Sequence, residues 1–148
     1  RPHANYPTLE FRMCDCITSL KDALSVAALI QALVAKFITL RRSNQTWRQY
    51  RGSLIHENKW RASQEGVKAK LIDFGAEKEA PFRDLISEML EFIEEVVDDL
   101  GTRKYIDNIE AIVEKGTSAD KQIAIYEDTG DLKDVVDSLI KETAAGCS

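Results

Sequence analysis

From Pro81 onward the apolar residues return every three or four positions, and a glycine or a turn breaks the pattern at intervals. A period near 3.6 does not fit a strand, so this half of the chain reads as helical. Pro81 suits a first helical turn. Leu85, Met89, Phe92, Ile93, Val96 and Val97 then form one stripe up to about residue 100, with Glu88, Glu91, Glu94, Glu95, Asp98 and Asp99 mostly outside it. Gly101 stops it. The next helix runs from Thr102 or Arg103 to about Lys115, with Tyr105, Ile106, Ile109, Ile112 and Val113 inward and Gly116 after it. Thr117 or Ser118 caps a further helix to about Asp128, with Ile123 and Tyr126 among its apolar positions. Thr129-Gly130 is a turn, and Asp131 caps a last helix striped by Leu132, Val135, Val136, Leu139 and Ile140. Residues 144–148 are expected to fray. Regular helices on short loops read as a helical bundle over residues 76–148, with no chemistry of its own.

Residues 20–40 make a different kind of helix. It is apolar nearly all round through its middle, which predicts burial on several sides. Little within 148 residues could cover it, so exposed apolar surface is expected too. Thr18 or Ser19 can cap it, Asp22 complements its first turn, and Arg41-Arg42 its last. The apolar run 23–35 is shorter than the ~20 residues a bilayer requires. Ser25 and Gln31 interrupt it, so no membrane partner is expected.

Ahead of that helix, Thr8, Glu10 and Arg12 alternate with Leu9, Phe11 and Met13. Alternation predicts a strand over residues 8–13, with Pro7 at its start and its apolar face on a core. Glu10 and Arg12 then project from the same face. A carboxylate beside a guanidinium can hold a divalent cation and an anionic oxygen, the needs of phosphoryl transfer. Such a pair is also common on ordinary wet surfaces, where it contributes little.

Ser43-Asn-Gln45 breaks the chain, and a second helical region is expected over residues 46–64, with Gly52 a weak point. In it Glu57, Asn58 and Arg61 share a face, while Lys59 points elsewhere on a regular helix. Trp60 reads as packing. After Gly66, residues 69–74 are a brief strand or a buried loop.

Composition is that of an ordinary globular chain, 44% hydrophobic and 30% charged. Residues 1–75 carry 12 Lys/Arg against 6 Asp/Glu, and residues 76–148 carry 8 against 19. The basic half suits a polyphosphate ligand. Its aromatics are not interleaved with the basic residues on one face, so nucleic acid is not expected. Cys14, Cys16 and Cys147 are an odd set without framework spacing, which fits a reducing cytoplasmic setting, and no signal peptide is visible. Cys14 and Cys16 read as buried small residues, since no second Cys/His pair completes a metal site. Gly-rich phosphate loops, HExxH, calcium loops and nucleophile triads are not found.

The segment Arg1-Pro-His-Ala-Asn-Tyr-Pro-Thr-Leu-Glu-Phe-Arg-Met-Cys-Asp15 resembles the "RP…PTLEFR.CD" signature of the glutamate–cysteine ligase type 2 family, the bacterial carboxylate–amine ligases. Glu57-Asn-Lys-Trp-Arg-Ala62 resembles that family's "ENxWRA". Gly116-Thr-Ser-Ala-Asp-Lys-Gln122 and Thr129-Gly-Asp131 are similar to its closing region. Family members are longer and carry most of their active-site sheet upstream, so the chain looks like their C-terminal part. The resemblance implies an α+β, mainly helical fold: one or two strands of a glutamine synthetase-like antiparallel active-site sheet, then a helical bundle. Residues 1–75 and 76–148 are expected to belong to one domain. It implies a ligase in which ATP phosphorylates a glutamate-like carboxylate and a cysteine-like amine then attacks the acyl phosphate. Glu10 would be a Mg²⁺ ligand and Arg12 the catalytic cation. Asn58, Lys59 and Arg61 would lie near the nucleotide or the substrate carboxylate. Expected partners are ATP, the two amino-acid substrates, and either a second copy or the N-terminal part of the enzyme. One carboxylate is too few to hold Mg²⁺ through catalysis, so this chain alone is not expected to turn over even if its parent enzyme does. The alternative is an inactive helical assembly or interaction fragment that lacks the N-terminal catalytic sheet.

Overall fold

The computed structural model describes residues 3–46 and 49–145. Arg1 and Pro2 of the first motif, and Cys147 with the rest of 146–148, lie outside them. Helix α1 spans Leu20–Arg42 and α2 spans Gly52–Glu65, followed by a 3-10 turn at Gly66–Lys68. Strands β1 (Lys70–Asp73) and β2 (Lys78–Pro81) form an antiparallel hairpin. Helices α3 (Phe82–Val97), α4 (Arg103–Lys115), α5 (Ser118–Thr129) and α6 (Leu132–Ala145) complete the order. The fold is α+β and mainly helical, as expected.

The core lies where α1, α3 and α4 meet. Ala28 and Ala32 let α1 approach Ile93, Val96 and Val97 of α3 and Ile106 of α4. At the edge of this contact Lys36 pairs with Glu95 at 2.7 Å, its ammonium 5.0 Å from the Phe92 ring centroid. A polar knot sits inside: Asn108 donates to Asp22 (2.9 Å) and to Ser25 (3.1 Å), and Ser25 donates to Lys21 O (2.9 Å). Among the described residues no buried side-chain nitrogen or oxygen lacks a partner, as buried polar groups require.

The structure departs from the sequence expectations at several places. The bundle is built on α1, whereas α5 and α6 pack mainly on each other. Helix α1 buries one face, through Ser25, Ala28 and Ala32, not several. Its flanks extend the apolar run, so by length and composition α1 is long enough to cross a membrane, yet its small-residue face packs on α3 and α4. Helix α2 starts at Gly52 rather than at residue 46. Glycine is costly inside a helix and harmless at its first position. Residues 8–13 are not a strand: only an isolated bridge occurs, at Leu9, and Leu9, Phe11 and Met13 are exposed. A strand is stable only when a neighbour takes up its backbone groups. The two strands among the described residues pair with each other instead. Cys14 and Cys16 are exposed, not buried, as are all of residues 11–16.

Candidate functional site

Glu10 and Arg12 do meet. The guanidinium of Arg12 lies 2.8 Å from a Glu10 oxygen, with the Arg12 side chain 68% exposed and Glu10 30%. The i, i+2 spacing brings them together without a regular strand. Mg²⁺ takes one or two protein carboxylates and completes its shell with water and substrate phosphates. Glu10 offers one carboxylate of that kind, half-buried and paired with Arg12. Among the described residues no group of three or more His, Cys, Asp or Glu side chains is arranged to hold a metal.

The second cluster is built by α2 and the hairpin. Residues Lys70↔Pro81, Leu71↔Ala80, Ile72↔Glu79 and Asp73↔Lys78 are paired. Residues alternate in the direction of their backbone groups, so Lys70 and Ile72 turn theirs away from β2. Asn58 takes up those of Ile72, its amide donating to Ile72 O (2.9 Å) and its oxygen accepting from Ile72 N (2.7 Å). Arg61 donates to Lys70 O (3.2 Å) and to the carboxylates of Glu57 (2.9 Å) and Glu79 (2.7 Å). Two side chains of one helix thus serve β1 as a third strand would, and cover an edge that would otherwise invite pairing. The same alternation explains Pro81 in β2, because opposite Lys70 no N–H is needed. Tyr50 adds a ring contact to Phe74 in the turn, centroids 4.8 Å apart.

Beside this clamp runs an open groove of about 310 Å³, lined by Glu57, Trp60, Arg61, Glu65, Lys68, Lys70 and Glu79. Its charges are interleaved. The Arg61 hydrogen bond holds the Glu79 carboxyl below its ordinary range, and Glu79, then Glu57, push the guanidinium up. Trp60 stands on the groove 59% exposed, rather than packed as the sequence suggested. Since α2 is regular, Lys59 points away from the Asn58–Arg61 side and is exposed. The structure therefore joins Glu10 to Arg12 and Asn58 to Arg61, and sets Lys59 apart.

Sequence reasoning missed β2 and with it Lys70 and Glu79. The signal was Asp73-Phe-Gly75. The Asp73 carboxylate accepts from Gly75 N (2.8 Å) and Ala76 N (3.0 Å), an Asx turn that reverses the chain.

The third motif is helix-end chemistry. Gly116 closes α4 at φ +89, and a Cβ there would lie 2.9 Å from Asp120. Thr117 and Asp120 form a reciprocal capping box on α5. Gly130 ends α5 in the left-handed region, and Asp131 accepts from Lys133 N (2.8 Å) to start α6.

The model of glutamate-cysteine ligase family 2 matches residues 1–138. Relatives from Herpetosiphon aurantiacus, Solibacter usitatus and Chloroflexus aggregans, each named "Putative glutamate--cysteine ligase 2", are 49% identical over 146 residues. These alignments cover 99% of this chain and 37–38% of the relatives' own length. No solved structure matches.

Proposed function

This chain belongs to glutamate-cysteine ligase family 2, and from that premise we propose that it is the C-terminal part of an ATP-dependent carboxylate–amine ligase acting in the cytoplasm. In the reaction a glutamate-like carboxylate oxygen takes the γ-phosphoryl group and releases ADP. The amine of a cysteine-like substrate then attacks the acyl carbon, expels phosphate and loses a proton as the amide forms. The Glu10–Arg12 pair carries this reading, since it sets a carboxylate and a forked cation side by side, 2.8 Å apart, in the segment that resembles the family's first signature.

Glu10 would supply one ligand to Mg²⁺, and the metal would neutralise phosphate charge there. Arg12 faces the transferring phosphoryl group, where a planar two-pronged donor fits better than an ammonium. The amide of Asn58 holds β1, so its service to the site is to place Lys70 and Glu79 beside the groove. Arg61 lines that groove, and Lys59 adds positive charge on the exposed side of α2. The other parts of the site belong to the greater length of the relatives beyond the match.

The test is calorimetric titration of this chain with ATP, with and without Mg²⁺, and of Glu10→Ala. Binding that needs Mg²⁺ and disappears in the variant is expected. No binding by the unaltered chain, or binding indifferent to Glu10, would remove this segment from nucleotide handling. The exposed stripe of Leu132, Val136 and Ile140 on α6 favours a second reading, an assembly module without activity of its own.

A further inference from the structure

Helices α5 and α6 form a hairpin that packs mainly on itself, so its attachment to the rest of the molecule stands out. That attachment is polar and converges on Thr18. The Thr18 hydroxyl donates to one Glu142 oxygen and lies 3.4 Å from the Ser118 hydroxyl. The other Glu142 oxygen accepts from Lys121 at 2.8 Å. Gln122 donates to Ser118 at 3.1 Å, one turn along α5. These groups come from three segments, more than a hundred residues apart in part, and Thr18, Ser118 and Glu142 are all half-buried.

Thr18 is also where direction is set. It immediately precedes Ser19, whose hydroxyl caps α1 by accepting from Asp22 N (3.3 Å), and it follows the Glu10–Asp15 stretch by a few residues. Residues 16–18 join that stretch to α1, so what holds Thr18 fixes the place where the stretch enters the helix.

We propose that Thr18, Ser118, Lys121 and Glu142 form a latch by which the α5–α6 hairpin fixes the passage of the chain from the Glu10–Arg12 segment into α1. They are positioning residues. The motif of residues 116–122, which the ligase reading leaves without a chemical role, then acts through Thr18 on the segment carrying Glu10 and Arg12. A hydrogen bond with a charged partner in a half-buried place is strong enough for this, and its loss leaves the partner unsatisfied.

Hydrogen exchange of the whole chain, followed by mass spectrometry, tests the latch whether or not the chain binds ATP. The variants are Thr18→Val, Glu142→Ala, their double mutant, and Thr18→Ser, which keeps the hydroxyl. In Thr18→Val and Glu142→Ala, exchange over residues 17–24 and 117–143 is expected to rise about tenfold. Residues 82–97 should stay protected, Thr18→Ser should exchange as the unaltered chain does, and the double mutant should exceed neither single variant appreciably. Unchanged exchange in Thr18→Val overturns the proposal. So does a Thr18→Ser variant as loose as Thr18→Val, a double mutant showing the product of the two single effects, or a rise of equal size over residues 82–97.

Discussion

Asn58 commits both ends of its amide to one residue of β1. Asn58→Ala removes two hydrogen bonds at once and leaves the outward N–H and C=O of Ile72 without a protein partner. A loss of about 1–3 kcal/mol in urea unfolding is expected. An unchanged midpoint would mean that solvent serves that edge equally well. Glu10 and Arg12 contrast with this. Their contact is exposed, and exposed pairs are worth little. Glu10→Gln and Arg12→Lys should therefore each shift unfolding by less than about 0.5 kcal/mol, while Glu10→Gln weakens Mg²⁺-dependent ATP binding. A large stability loss in either would mark the pair as structural. The sequence shows that Glu57, Asn58 and Arg61 share a face, because a helix fixes that by its period alone. It does not show what the face meets, since Lys70, Ile72 and Glu79 reach it only once the hairpin has closed.

At the scale of elements, helix ends carry much of the specification. Gly116 sits at φ +89 with Asp120 against the place of a Cβ. Gly116→Ala combines backbone strain with a clash, and more than about 1 kcal/mol of destabilisation is expected from thermal unfolding. The acid limb of stability has a definite sign here. Lys121 first, then Thr18, hold the Glu142 carboxyl below its ordinary value of 4.5. The Thr117 backbone, then its hydroxyl, do the same for Asp120, ordinarily 3.8. A carboxyl lowered in the folded state stabilises it fully above its unfolded value, and the benefit is lost as pH falls through the lowered one. The α5–α6 hairpin should thus hold down to the ordinary carboxylate range and loosen below it. Carboxyl NMR titration checks this, with a Glu142 midpoint below 4.5 that rises in Lys121→Met. A midpoint that stays put in that variant would remove Lys121 as the cause. Caps and stripes are local, so the bounds of α4, α5 and α6 were readable from the sequence to within a residue or two. Residues 8–13 show the limit of local reading: alternation states which way side chains point in a strand, but not that a partner strand is there.

Across the whole molecule, apolar surface remains uncovered. Leu20, Leu24, Phe37 and Ile38 of α1 are exposed, and so are Leu132, Val136 and Ile140 of α6. Patches of this kind bind hydrophobic dyes or other surfaces. The native chain is expected to raise the fluorescence of such a dye and to self-associate as concentration rises in equilibrium sedimentation. A dye-silent monomer at all concentrations would show that these side chains do not act as a patch. What the sequence alone determined is what depends on near neighbours: the helices from α3 onward, their stops, the nearness of Glu10 to Arg12, and the shared face on α2. Hydrophobic period, capping and i, i+2 or i, i+4 spacing act within a few residues, so the chain states them outright. Tertiary structure alone decided that α1 joins α3 and α4, that Asn58 and Arg61 serve as the edge of β1, and that Thr18 is held by Ser118 and Glu142. Those outcomes depend on residues distant along the chain arriving at one place, and no local preference specifies which distant groups will meet.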